Sequence, residues 1–164
     1  MHAFAVLFVC MGNRCRSPTA QAIFGQRIAQ AGLAQQVRVD SAGTHATPRV
    51  LVDARSRDRA GLRGYSLEGL RSRPLQESDC GQFDMVLAMD EANLLHLHRQ
   101  CAETQWHRLH LMASFCTRHP GARAVPDPYY GNVQGFDRVL DMLEDACDGL
   151  LLHVQQHLAT VARH

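Results

Sequence analysis

A doubly wound α/β fold, with a four-stranded parallel sheet and helices on both faces, is what the order of hydrophobic segments predicts. Two observations carry that expectation. Ala3–Val9 is a continuous apolar run ending at Cys10, as a strand buried on both faces reads. Apolar runs then alternate with capped, amphipathic stretches to the end of the chain, the pattern of strand–helix–strand crossovers. A chain of 164 residues has room for one domain, and its core needs neither staples nor a metal to fold. A single domain over 1–164 is therefore expected.

Each element follows from local chemistry. After the first strand and a short loop, Ser17-Pro18 offers an N-cap hydroxyl followed by proline at the first helical position. A helix is predicted from Pro18 to about Ala31, with Ala22, Ile23, Ile28 and Ala29 inward and Gly32 as its stop. Val37–Val39 is a short second strand leading into Ser41-Ala42-Gly43-Thr44. A weaker helix is predicted over Val50–Arg63, ended by Gly64. Phe83–Met89 is the third strand, Asp90 caps a helix from Glu91 to about Gln100, and Arg108–Met112 is the fourth strand. Beyond the loop Ala124–Asn132, a long helix runs from Gly135 to about Val161. No linker, repeat or low-complexity tract interrupts this order.

Composition narrows the chemistry. The basic residues number 17 against 16 acidic ones, for a net charge of +1, so no broad field exists for nucleic acid or an anionic membrane. All the basic residues are arginine, which excludes Schiff-base and Walker-type lysine chemistry. The apolar stretch Ala3–Met11 is about half of the ~20 residues a membrane helix needs. No basic segment precedes it and no small-residue cleavage site follows, so a soluble, cytoplasmic protein is expected. In that compartment the six scattered cysteines read as buried thiols with one reactive member. Neither His96-x-His98 nor Cys116-x2-His119 has structural-zinc spacing, and no metal or cofactor is expected. Arg49, Arg55, Arg57 and Arg59 read as a solvated face, and Trp106 as partly buried packing.

The informative segment is Cys10-Met11-Gly12-Asn13-Arg14-Cys15-Arg16-Ser17, between a buried strand and a capped helix. Open α/β sheets bind ligands beyond the carboxyl ends of their strands. A loop turning directly into a helix points several backbone N–H groups at one spot, backed by the helix dipole, and so cups a phosphate-sized anion. Gly12 and Asn13 tolerate the left-handed dihedrals such a turn needs. The field that holds phosphate also stabilises a thiolate at Cys10. Arg16 can grip two phosphate oxygens through its planar fork, and Ser17 can cap the helix and donate toward the Cys10 sulfur. A cysteine alone, or C-x5-R alone, would read as a core cysteine and a solvated arginine. The combination with the apolar strand and the Ser-Pro helix start is far more specific.

The chain resembles the low-molecular-weight protein tyrosine phosphatases, their bacterial branch most. The resemblance runs over nearly its whole length: the C-x5-R-S loop, V-D-S-A-G-T at 39–44, F-D-M-V-L-A-M-D at 83–90 and D-P-Y-Y-G-N at 127–132. By itself Asp127, between Pro126 and Pro128, reads more readily as a turn residue; the resemblance makes it the general acid and base. It implies hydrolysis of phosphotyrosine through a phosphocysteine on Cys10, with Arg16 clamping the phosphate and Met11, Gly12, Asn13, Arg14, Cys15 and Ser17 forming the cradle. Tyr129 and Tyr130 would line the pocket and offer sites for a kinase. Asn13, Ser17 and Ser41 would support the loop, and Cys15 would trap oxidised Cys10 as a reversible disulfide. The implied partner is a phosphotyrosine protein, a bacterial tyrosine kinase among the candidates, and the implied state a monomer or weak dimer.

Three positions depart from the family pattern. Leu70 stands where a buttressing histidine is usual, Arg14 where an apolar residue is usual, and Thr47 near the place of an aromatic wall residue. Two other readings stay open at this stage. A thiol-dependent arsenate reductase shares the loop and fold, with Cys80 as the suggestive extra cysteine. A catalytically silent phosphotyrosine-binding module would also keep the cradle.

Overall fold

The computed structural model describes residues 2–163. Four strands, β1 (Phe4–Cys10), β2 (Val37–Gly43), β3 (Met85–Ala88) and β4 (Leu109–Leu111), form one sheet in the order β2-β1-β3-β4. Every pairing is parallel. Five α-helices accompany them: α1 (Arg16–Gln30), α2 (Ala54–Leu62), α3 (Asp79–Gln82), α4 (Glu91–Gln100) and α5 (Val133–Ala162). The expected class is the observed one. None of these helices is long and apolar enough to cross a membrane.

Alternation along β1 divides the core. Val6, Phe8 and Cys10 point into a cluster with Ile23, Phe24 and Ile28 of α1 and Val139, Leu143, Leu150 and Val154 of α5. Ala5, Leu7 and Val9 point the other way, toward Cys80 of α3, Val86 of β3 and Leu97 of α4. A strand with no polar face must have both faces covered, which is why β1 reads as an unbroken apolar run. The order also sets the site: β1 has β2 on one side and β3 on the other, so the crevice opens at the carboxyl ends of β1 and β3.

Several expectations need correction. Helix α1 begins at Arg16, with Cys15 as its N-cap residue and no side-chain cap, so Ser17 lies inside the first turn rather than capping it. Ala29 is exposed, and fully buried Phe24 takes the inward place. The predicted Val50–Arg63 helix starts only at Ala54, because Asp53 is the cap and its carboxylate accepts the Arg55 N–H at 2.9 Å. Upstream of it, Leu51 forms an antiparallel bridge with Arg71. The solvated face dissolves in part. Arg59 pairs with Asp137 at 2.8 Å, and Arg55 pairs with Asp53 while stacking over Phe136. The short helix α3 and the 3-10 turns Glu103–Arg108 and Met112–Phe115 had no sequence signal.

The cysteines also differ from the expected set of thiols. Cys80 in α3 and Cys101 at the end of α4 are joined by a disulfide, while Cys10, Cys15, Cys116 and Cys147 are free. Their separation of 21 residues hides the pairing from any spacing rule, and it is the shared core of Cys80, Leu97 and Cys101, with α3 against the turn Glu103–Arg108, that brings them together.

Candidate active site

The loop from Cys10 to Arg16 closes over the end of β1. Cys10 is buried, and its Sγ lies 2.9 Å from Ser17 Oγ and accepts the Asn13 N–H at 3.3 Å. Asn13 has φ +54, the left-handed turn that aims these amides inward. Among the described residues, the amides of Met11, Gly12, Arg14 and Cys15 have no acceptor within the chain. With the first turn of α1 behind them, they form an anion-binding concavity. The cavity above the sulfur measures about 370 Å³ and is lined by residues of this loop together with His45, Thr47, Val50, Asp127, Tyr129 and Tyr130.

A polar web holds the loop from below. Asn13 Nδ2 donates to Ser17 Oγ at 2.8 Å and to Ser41 Oγ at 3.0 Å, and its Oδ1 accepts the Arg73 N–H at 2.9 Å. Ser41 in turn donates to Gln21 Oε1 at 2.6 Å. Leu70 makes none of these bonds and packs on the apolar core instead. Gln21 and the Arg73 backbone, neither singled out from the sequence, complete the web. Arg73 is itself fixed by Asp79, whose carboxylate accepts both ends of its guanidinium at 3.0 and 3.1 Å. Backbone bonds from Thr44 to Cys10 and from His45 to Met11 stitch the loop to the end of β2. There a Cβ on Gly43 would lie 2.7 Å from the Met11 carbonyl oxygen and 2.9 Å from the Asn13 nitrogen.

Arg16 is almost wholly enclosed, at 3% exposure. One edge of its guanidinium is anchored: Nη1 donates to Asp90 Oδ2 at 2.8 Å and to the Val125 carbonyl at 3.1 Å. The other nitrogen, Nη2, lies 3.5 Å from Asp127 Oδ2. Asp90 meanwhile caps α4 through its second oxygen, which accepts the Asn93 N–H at 2.8 Å. The sequence identified Asp90 only as that cap. Asp127 is two-fifths exposed at the cavity mouth and accepts the Tyr129 N–H at 3.1 Å. Tyr129 and Tyr130 meet edge to face at 4.9 Å, and Tyr130 is 95% exposed. Arg55 braces this wall from behind, donating to the Tyr129 carbonyl at 3.0 Å. Arg14, Thr47, Val50 and the imidazole-bearing His45 complete the lining.

The remaining free thiols differ in kind from a nucleophile. Burial pushes Cys15 up to about 11 against a favourable bond from Ser56, and it pushes Cys116 up to about 12. The deepest, Cys147, is raised further still by its complete burial. Metal-ligand types converge once among the described residues, where donor atoms of Cys116, His119 and Asp145 lie within 4.8 Å of one another. The Asp145 carboxylate there already accepts four hydrogen bonds, from Thr117 N–H and Oγ1, Arg118 N–H and His119 Nδ1. The trio reads as a loop anchor on α5.

The sequence profile of one family, described as low molecular weight phosphotyrosine protein phosphatase, matches residues 5–160. A low molecular weight protein-tyrosine-phosphatase of Streptomyces coelicolor is 38% identical over 167 residues, spanning 94% of this chain and 96% of the relative. The human low molecular weight phosphotyrosine protein phosphatase is 32% identical over 153 residues, spanning 90% and 93%. Among solved structures, an Entamoeba histolytica protein tyrosine phosphatase with Hepes in its active site superposes with a TM-score of 0.90 at 39% identity, covering 94% of this chain and 99% of that one.

Proposed function

This chain belongs to the low molecular weight phosphotyrosine protein phosphatase family, and from that premise we propose that its single domain hydrolyses phosphotyrosine in two displacements. In the first, Cys10 Sγ attacks phosphorus while the loop amides and Arg16 hold the non-bridging oxygens. The S–P bond forms and the P–O bond to the tyrosyl ring breaks. The Asp127 carboxyl group gives its proton to the departing phenolate oxygen. In the second, water attacks the phosphocysteine, the Asp127 carboxylate takes the water's proton, and the S–P bond breaks to release phosphate and the Cys10 sulfur. Amide dipoles and one guanidinium carry the charge that develops, and Tyr129 and Tyr130 flank the ring of the substrate.

One observation supports this reading above the others. The Cys10 sulfur lies within reach of two hydrogen-bonding groups at 2.9 and 3.3 Å, under a loop whose other amides have no acceptor. A buried arginine, anchored by Asp90 and with its Nη2 beside Asp127, lines the same cavity. Arsenate reduction is not favoured. The relatives and the solved structure described above are named as phosphatases, and Cys80 is spent in a disulfide in the core cluster on the opposite face of the sheet from Cys10. The substrate is then a phosphotyrosine protein, a bacterial tyrosine kinase among the candidates, met by a monomer or weak dimer. The test is turnover of a phosphotyrosine peptide beside its phosphoserine counterpart. Hydrolysis of the first alone is expected, abolished in Cys10→Ser with the melting temperature kept. Normal turnover by Cys10→Ser overturns the nucleophile assignment.

A further inference from the structure

The cavity lining is mixed in charge: Asp127 and the two tyrosines belong to it, and so do Arg14, Thr47 and Val50. Behind Thr47 and Val50 the backbone of 47–51 is laced to 71–72. Arg49 N–H donates to the Ser72 carbonyl at 2.8 Å, and Ser72 N–H to the Val50 carbonyl at 2.8 Å. Two guanidiniums are tied to the same segment. Arg14 Nε donates to the Leu51 carbonyl at 3.2 Å, and Arg71 Nη1 to the Arg49 carbonyl at 3.3 Å. Arg49 and Arg71 are exposed, and Arg14 is half-buried.

These three arginines differ from most of the arginines near them, Arg57 of α2 excepted. Arg16, Arg55, Arg59, Arg63 and Arg73 each have a carboxylate within 4 Å. Among the described residues, Arg14, Arg49 and Arg71 have none. The nearby carboxylate of Asp53 is already taken by Arg55, which reaches both of its oxygens. Arg14 lines the cavity, Arg49 lies between its lining residues Thr47 and Val50, and Arg71 is tied to the Arg49 carbonyl, so three guanidiniums without a carboxylate gather beside the mouth. Carbonyl contacts occupy one N–H on each of Arg14 and Arg71, which leaves most of their donors free for a carboxylate.

We propose that Arg14, Arg49 and Arg71 form a cationic rim that selects phosphotyrosine in an acidic sequence context, the rim engaging Asp or Glu side chains that flank the phosphorylated residue. The proposal rests on the phosphatase reading above and names the substrate class of that same site. Exposed charge pairs are weak one at a time, so each engaged carboxylate should raise kcat/KM by about two- to fivefold, acting through KM. The gain should shrink as salt screens it.

The experiment compares three phosphotyrosine peptides that differ only in acidic, neutral or basic flanks, with p-nitrophenyl phosphate as a flankless control. Acidic over neutral over basic is expected at low ionic strength, with the spread narrowing at high ionic strength. In Arg49→Asn/Arg71→Gln the spread should fall to within about twofold while turnover of p-nitrophenyl phosphate stays at the wild-type value. Asparagine is chosen at position 49 because the backbone there has φ +64. The wild-type peptide series stands on its own even where the double variant folds poorly. Equal kcat/KM for all three flanks, with p-nitrophenyl phosphate still hydrolysed, overturns the rim and leaves the phosphatase. Failure to hydrolyse p-nitrophenyl phosphate overturns both.

Discussion

Asp127 illustrates what a single side chain can do when the fold aims it. It lies 3.5 Å from an arginine whose other edge is pinned by Asp90, so acid and clamp stand side by side on one cavity. Replacing it by Asn keeps the shape and removes the transferable proton. Asp127→Asn should cost on the order of 10²–10⁴ in kcat, and less for aryl phosphates whose leaving groups need no proton. A leaving-group series measured for wild type and variant checks this, and parallel series would remove Asp127 from the acid role. The residues at the bottom of the cup were legible because C-x5-R-S combines types that each answer one requirement: nucleophile, tight turn, clamp and hydroxyl. Gln21, Asp90 and Arg73 were not. Each reaches the loop from a different element, and apart from the helix cap at Asp90 nothing in their own neighbourhoods distinguishes them from surface polar residues.

Elements position the loop through close contact as much as through hydrogen bonds. Gly43 ends β2 directly under the turn, with space for no Cβ beside Met11 and Asn13. Gly43→Ala should therefore shift the cradle and lower kcat/KM by on the order of 100-fold, with a far smaller fall in melting temperature. Equal losses of activity and stability would show that the residue serves the fold and not the loop. At the opposite side of α5, burial alone would raise Asp145, but His119 and the Thr117 and Arg118 amides outweigh it and hold the carboxyl down from 3.8 to about 2. A depressed folded value stabilises the protein above the unfolded value, and that contribution is lost as pH falls through the folded one. About 2 kcal/mol should thus vanish between about pH 4 and pH 2. Urea midpoints across this window should fall more steeply for wild type than for Asp145→Asn, and identical slopes would remove the anchor. Strands and long helices were legible through their periodicity and caps. The start of α2 was misplaced because Val50–Val52 carries apolar residues that pair with the 71–72 backbone instead of entering a helix. Helix α3, at four residues, is too short for any period to show.

For the molecule as a whole, the unforeseen element is covalent. The Cys80–Cys101 bond closes a loop of 21 residues in sequence separation, which by chain entropy is worth about 3 kcal/mol. In a protein of this size, Cys80→Ser/Cys101→Ser should melt roughly 6–12 °C lower, read by calorimetry under non-reducing conditions. An unchanged melting temperature would mean the bond adds nothing to stability. Such bonds are rare where glutathione keeps thiols reduced, so the cytoplasmic expectation and the bridge pull in opposite directions, and free-thiol counting on protein drawn from the cell decides between them. Helix α5 has a different global meaning. It begins at Val133, where a Cβ on Gly135 would lie 3.7 Å from Pro128 of the acid-bearing loop, and runs 30 residues, about 45 Å, to a last stretch that is mostly exposed. A biosensor chip or bead coupled near Gln156 would therefore hold the enzyme by its far pole, with the catalytic mouth turned toward the analyte stream.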